Sequence, residues 1–457
     1  MQALYLAAPH KSSGKTTITI ALAATLTARG SVTQLFKKGP DYIDPMWHQS
    51  ASNRPGVNLD FHTLTQAEIV ARFHHYSRDA DFAIVEGNMG LFDSLDVAGH
   101  ESNAELAKLL QTPVVLVVDA KGATRSWVAM IQGLQQFDPE LKFCGLIFNN
   151  VAGERHRQRL QQVVEHYLDT PLLGALLRDP ALNIDERHLG LIPSPECSQS
   201  RPIIERLISS ASEQIDIDLL CEQLTDYPLP SPSPPRCHSR VAHLRIAIAR
   251  DEAFNFYYTT DLDYFQRCGV ELVPFSPIRD PQLPPNIDAL LIGGGFPENF
   301  AAELAANRML RHQIAAKIEA GLPTYAECGG LIYLSKSLQQ SQRRDSLIGV
   351  IPASCQLHSK PVGRGYARFT PTANHPWPLA RAHQQPVAAH EFHYSDIQFH
   401  SNTPKWQPAY QLQRGHGIGN RLDGYCHHNL LASYLHLQHS QNFPWIDYFI
   451  DFIQRVK

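Results

Sequence analysis

The run Thr112-Pro113-Val114-Val115-Leu116-Val117-Val118 is apolar without alternation. That pattern fits a strand covered on both faces, as in a parallel sheet, and does not fit a strand with one wet face. Similar short runs recur at 3–8, 32–37, 82–85 and 143–148, with helical segments between them. The first of these, Thr16 to Ala28, is rich in Ala and Leu and is closed by Gly30. Strands alternating with helices argue a doubly wound α/β sheet. With 457 residues, 43% of them hydrophobic, the chain is too long for one ordinary core and suits two or three domains.

The segment 227–235, YPLPSPSPP, breaks the rhythm. Five of its nine residues are Pro, which predicts a stiff, extended connector. The expected organisation is a first domain over 1–226, a Pro-rich linker over 227–240 and a second α/β domain over 241–457. The second domain opens with strands at 244–249 and 272–274 and a helix at 262–267 between them. A further strand at 289–292 runs into three glycines, and beyond 345 the pattern becomes strand-rich and irregular.

Composition narrows the class. The net charge is −4, and Lys and Arg are scattered, so no nucleic-acid or membrane partner is expected. No stretch reaches the ~18 apolar residues of a spanning helix, and the N-terminus lacks the charged start of a leader. The eight cysteines form no CxxC pair and read as reduced thiols of a cytoplasmic protein. The 23 His residues show no zinc spacing. His427 and His428, being adjacent, are expected to point apart on a strand.

Three N-terminal segments carry chemistry. Gly14-Lys15-Thr16-Thr17 lies between a strand and a helix, where unpaired backbone N–H groups receive phosphate. These four residues are the candidate ATP site, with Lys15 for the β- and γ-phosphates and the Thr16 hydroxyl for Mg²⁺. Alone, a chance GKT at a helix start explains them as well, since Pro9, Ser12 and Ser13 depart from the strict loop. Two further segments favour the site. KKGPDYID (37–44) puts two cations and two carboxylates at the C-terminal edge of the sheet. EGNMGLFD (86–93) sets Glu86 directly after a buried strand, placed to hold Mg²⁺. The plainer alternative for both is turn chemistry.

In the second half, Thr324 to Leu331 reads as strand, tight turn and helix start. Cys328 sits at the turn among small residues, with a helix N-terminus expected to lower its thiol pKa. His436, in the strand-like 433–438, is the candidate base. Backbone N–H groups of Gly294, Gly295 and Gly329 are the candidate oxyanion donors.

Together with GGGFPE (293–298), GRGYA (363–367), HEFHYS (390–395), SYLHL (433–437) and DERHLGLIP (185–193), these motifs are recognisable. The chain resembles the cobyrinic acid a,c-diamide synthase family, glutamine-dependent corrinoid amidotransferases, over nearly its whole length. The resemblance implies an N-terminal P-loop domain of the dethiobiotin-synthetase type and a C-terminal class I glutamine amidotransferase-like domain. It implies ATP and Mg²⁺, with a tetrapyrrole polycarboxylate and glutamine as small-molecule substrates. ATP would phosphorylate a substrate carboxylate, Cys328 would release ammonia from glutamine, and ammonia would displace the phosphate. By motif match, Mg²⁺ falls to Thr16, Asp41 and Glu86, and the substrate to Lys38, Tyr42, Asp44 and Asp93.

The chain departs from the family pattern at its P-loop start, Ala8 to Ser13, and at Ser94, where Gly is common. Gln438 stands where ordinary class I amidotransferases carry Glu, so another group is expected to orient His436. Hydrogenobyrinate or a nickel tetrapyrrole remain alternative substrates, and a non-catalytic tetrapyrrole carrier or regulator is the alternative of another class. P-loop relatives often pair, which leaves a homodimer open.

Overall fold

The computed structural model describes residues 1–182, 184, 186–187, 190–197, 199–230, 243–401 and 406–457. It divides into two compact units, Met1–Pro234 and Pro235–Lys457. Of the expected connector, 231–240 lies outside the described residues, as do 185, 188 and 189 of the DERHLGLIP motif.

The first unit is built on a seven-stranded sheet in the order β3 (Val57–Leu59), β2 (Thr33–Lys38), β4 (Phe82–Glu86), β1 (Gln2–Ala7), β5 (Val114–Asp119), β6 (Phe143–Val151), β7 (Leu172–Leu177). All its pairings are parallel. Val114 to Val118 are all 0% exposed, as an unalternating apolar run requires when both sheet faces are covered. A short antiparallel ribbon, β8 (Glu186–Arg187) with β9 (Gly190–Leu191), stands apart. The helix α1 (Lys15–Ala28) follows β1, and α2 (Ile43–Ser52) follows β2. The segments after β1, β2 and β4 therefore meet at one sheet edge, at the strands' C-terminal ends, where such folds bind ligands.

The second unit holds a nine-stranded sheet in the order β11 (Val270–Phe275), β10 (Leu244–Ala249), β12 (Ala289–Ile292), β13 (Thr324–Glu327), β22 (Leu430–Ser433), β21 (Leu422–His427), β20 (Pro408–Arg414), β17 (Gly363–Pro371), β18 (Val387–His393). Pairing is parallel from β11 to β22 and antiparallel from β22 to β18. A four-stranded sheet, β15 (Arg343–Ser346), β14 (Ser335–Gln340), β16 (Ile351–Leu357), β19 (Ser395–Phe399), completes it. The irregular strand-rich region beyond 345 thus serves two sheets. The last helix, Trp445–Val456, buries Ile446, Phe449, Ile450 and Ile453, the i, i+3, i+4, i+7 stripe of an amphipathic helix. That stripe packs in one core with Tyr325 and Trp377.

Two expectations are corrected. His427 ends β21, but His428 takes φ 50°, which breaks the strand's alternation and turns both rings toward Glu319. Cys268 is joined in a disulfide, so not all cysteines are reduced thiols. Among the described residues, no helix is long and apolar enough to cross a membrane.

Candidate active sites

In the first unit, Gly14 caps α1 at φ 89°. The positive φ favours glycine there, and a Cβ would also displace the Asn149 amide, 1.9 Å away. The next residues point into a buried polar cluster. Thr16 Oγ1 donates to Glu86 Oε1 at 2.5 Å and lies 3.3 Å from Asp44 Oδ2. Lys37 Nζ bridges Asp44 Oδ2 at 2.5 Å and Glu86 Oε1 at 2.7 Å. His48 Nε2 meets Glu86 Oε2 at 2.7 Å. Register explains the bridge, because Lys37 on β2 is paired directly with Glu86 on β4.

Electrostatics within the cluster are uneven. Burial opposes the ionisation of Glu86, but Lys37 and His48 outweigh it and hold its carboxyl well below the usual range. Burial likewise opposes charge on Lys37, and Asp44 and Glu86 outweigh it, so its pKa is raised. Asp44 is pushed up to about 7 by burial and by the Asp41 charge, against the pull of Lys37. One ammonium thus serves two buried carboxylates, which leaves demand for a further cation. Thr16, Asp44 and Glu86 offer only oxygen donors, the set that a hard ion such as Mg²⁺ takes.

Lys15 Nζ folds back onto the carbonyls of Met89 at 3.0 Å and His10 at 3.4 Å. Burial, reinforced by Lys37, brings its pKa down to about 8. Thr17 lies in the first turn of α1. Asp41 stands differently from Asp44: its Oδ1 accepts the N–H groups of Ile43 at 2.9 Å and Asp44 at 3.0 Å, opening α2 as a side-chain cap. Tyr42 is the α2 N-cap residue. Lys38 turns away to Asn88 Oδ1 at 3.3 Å. Asp93 accepts the Gly90 N–H at 3.0 Å and so braces the 86–93 turn. Lys37 and His48 are the cluster members absent from the sequence-derived set.

In the second unit, β13 ends at Glu327, and Cys328 follows at φ 46°, ψ −97°. That left-handed conformation costs a non-glycine residue about 1–3 kcal/mol and marks a strained strand-to-helix elbow. The helix Gly329–Leu334 begins directly after it. Space around the elbow is exhausted. A Cβ on Gly330 would lie 2.3 Å from Ile292 O, and one on Gly329 would lie 3.1 Å from Gly295 N. Gly295, at φ 153°, would drive a Cβ to 2.1 Å from Ala253 O, and Gly294 would meet His436 Cε1 at 2.6 Å. Gly294 therefore abuts His436, and Gly295 abuts Gly329, the residue after Cys328. Tyr257 pins the glycine turn, accepting the Gly293 N–H at 2.8 Å and donating to Ala249 O at 2.6 Å.

Parallel pairing of Glu327 with Ser433 brings the chain leaving β22 past the elbow. His436 donates its backbone N–H to His390 O at 2.8 Å, and the two imidazoles stack at 4.8 Å. Glu327 Oε2 lies 3.6 Å from His436 Nδ1. Its other oxygen, Oε1, accepts from Tyr325 OH at 2.7 Å and Leu437 N–H at 3.0 Å, so the carboxylate is fixed in place. Sequence reasoning passed over Glu327, although it sits inside the Ala-Glu-Cys-Gly-Gly string.

The thiol departs from expectation. Burial first, then Glu298 and Glu327, push the Cys328 pKa up, against the Gly329 N–H. A short helix N-terminus does not overcome two nearby carboxylates and full desolvation. The HEFHYS segment borders this site, with Phe392 O accepting from Cys328 Sγ at 3.7 Å. Glu391 ties down the His416 and Gly417 N–H groups at 2.5 and 2.9 Å, and His393 stacks on Tyr434 at 3.7 Å.

Comparison with known proteins follows the same division. Residues 5–192 match the CobQ/CobB/MinD/ParA nucleotide binding domain, and residues 245–443 match the CobB/CobQ-like glutamine amidotransferase domain. A nucleotide-binding unit followed by a glutamine amidotransferase unit defines an ATP-dependent carbon–nitrogen ligase that draws on glutamine. A protein of Magnetococcus marinus is 42% identical over 441 residues, covering 95% of this chain and 93% of its own. One of a Synechococcus species is 40% identical, covering 97% and 96%, and one of Listeria monocytogenes is 36% identical over 100% of both. Each is named cobyrinate a,c-diamide synthase. This chain belongs to the cobyrinate a,c-diamide synthase family.

Proposed function

We propose that the chain converts the a and c acetate carboxylates of cobyrinate to amides, using ATP and glutamine. The observation that carries this reading is the retention in one chain of both halves of the chemistry. One half is a phosphate-binding helix start over a buried carboxylate cluster, and the other is a strained cysteine elbow beside an imidazole.

In the first unit, Lys15 exchanges its two carbonyl partners for phosphate oxygens of ATP. Thr16, Asp44 and Glu86 would hold Mg²⁺, which when bound offsets the charge of the triphosphate. A carboxylate oxygen of the substrate attacks the γ-phosphorus, the bond to ADP breaks, and an acyl phosphate forms. Lys37 offsets the charge that gathers there.

In the second unit, His436 accepts the Cys328 proton as the sulfur attacks the glutamine side-chain carbonyl. The N–H groups of Gly295 and Gly329 receive the oxyanion. The proton passes to the leaving nitrogen, ammonia departs, and water hydrolyses the thioester to glutamate. Ammonia then attacks the acyl carbon and releases phosphate.

Glu327 is the positioning residue for His436 in this scheme. Glu327→Gln should lower kcat for glutamine hydrolysis about 10- to 100-fold, with little change in KM and full amidation from ammonium salts. An unchanged kcat would remove that role. Asp44→Asn should raise the Mg²⁺ concentration needed for amidation about tenfold. Asp41→Asn keeps the cap oxygen and should shift it little. The reverse order in a Mg²⁺ titration would return the metal to Asp41.

The function itself is tested by mass spectrometry of cobyrinate, hydrogenobyrinate or a nickel tetrapyrrole incubated with protein, glutamine and Mg-ATP. Each amide formed replaces an oxygen by NH. Two such replacements with cobyrinate are expected. Turnover of another tetrapyrrole alone would reassign the substrate, and no ATP consumption with any would favour a carrier.

A further inference from the structure

Away from both sites, Glu319, His427 and His428 form the one group of metal-ligating side chains found among the described residues, with all three ligand atoms within 4.8 Å of one another. Glu319 ends the helix Arg308–Glu319, His427 ends β21, and His428 opens the turn to β22. Neither element would bring these groups together by default. A carboxylate at a helix C-terminus faces the negative end of the helix dipole, which is unfavourable unless a cation answers it. Adjacent residues on a strand point to opposite faces, yet here both rings lie on one side, with centroids 4.2 Å apart. The left-handed φ of 50° at His428 makes this geometry, and such strain in a non-glycine residue persists only where surrounding contacts hold it.

Those contacts are present. Asn429 Nδ2 donates to Gly321 O at 2.7 Å, and Thr324 N–H donates to Asn429 O at 3.1 Å. The turn and the helix end are thereby clamped together before any ion arrives.

The contacts to Glu319 match two edges of a coordination shell, and the edge between the two imidazoles is within 4.8 Å. His427 Nε2 lies 3.1 Å from each Glu319 oxygen, and His428 Nε2 lies 3.5 Å from Glu319 Oε2. With metal–ligand bonds of about 2.0–2.1 Å, the edge of a tetrahedron is about 3.3 Å. We propose that Glu319, His427 and His428 bind a divalent transition-metal ion of the zinc type, through two imidazoles and one carboxylate, with the remaining position open to solvent. The donor set distinguishes this site from the all-oxygen cluster of the first unit, because imidazole selects zinc-type ions over Mg²⁺. The ion would fasten the β21–β22 turn to the helix, beside the strand that leads to His436.

The test uses the full chain, stripped with chelator and held in excess Mg²⁺ to occupy the oxygen site. Zn²⁺ alone is titrated by equilibrium dialysis, and Co²⁺ absorption reports coordination. His428→Asn removes the imidazole while tolerating the left-handed backbone, and His427→Gln and Glu319→Gln complete the set. Wild-type protein should bind one more Zn²⁺ than each variant, show the intense visible bands of low-coordinate Co²⁺, and melt at a higher temperature with Zn²⁺. The variants should lose all three responses and keep glutamine hydrolysis. Equal stoichiometry in wild type and variants would overturn the site, as would an octahedral Co²⁺ spectrum that all the proteins share.

Discussion

Cys328→Ala should abolish glutamine-dependent amidation, a loss of at least about 10⁴-fold, while amidation with added ammonium salts continues. The elbow shows why the effect is confined. Cys328 is held by a backbone bond to Ser433 O at 2.7 Å and by glycines that leave no room for movement. Removing one sulfur takes away a single contact, to Phe392 O at 3.7 Å, and leaves these backbone constraints in place. In the proposed scheme the first unit activates the carboxylate with its own residues and needs from the second only ammonia. Parallel assays with glutamine and with ammonium chloride check this. If both nitrogen donors fail equally, Cys328 is structural and the division of labour is wrong.

Glu86→Gln should have the mirror effect, stopping amidation with either nitrogen donor and sparing glutamine hydrolysis. Glu86 is fully buried and is the common partner of Thr16, Lys37 and His48. The amide preserves shape but removes the charge that offsets Lys37. Leaving a buried ammonium short of a partner costs about 3–5 kcal/mol, so the first unit should also melt earlier. The two consequences separate by measurement. Restored thermal stability without restored activity in a Lys37→Met, Glu86→Gln double variant would assign the loss to chemistry. Loss of glutamine hydrolysis along with amidation would point instead to general misfolding.

The architecture was readable where local pattern decides it. Val114 to Val118 could only be a covered strand, and Gly14 to Thr17 had to open a helix after one. Cys328 was legible because glycines beside a cysteine at a strand end have little other use. Register was not legible. Lys37 and Lys38 are neighbours with equal claims, and only the pairing of Lys37 with Glu86 sends one to the carboxylates and the other to Asn88. Asp41 and Asp44 present the same difficulty, since a capping carboxylate and a site carboxylate look alike in a turn-forming string. Glu327 was hidden because its partner lies 109 positions further along the chain, beyond Ser433 on the neighbouring strand. His428 escaped because a single left-handed residue reverses the rule that adjacent strand residues diverge.

The burial of Cys328 has a consequence for the protein's durability. Peroxides and alkylating agents attack thiolates that they can reach, and this sulfur sits on a residue only 6% exposed, where burial disfavours the thiolate. Half-buried cysteines such as Cys197 and Cys221 would meet such reagents first. In the proposed scheme the sulfur is open to such attack chiefly during turnover, when His436 has taken its proton.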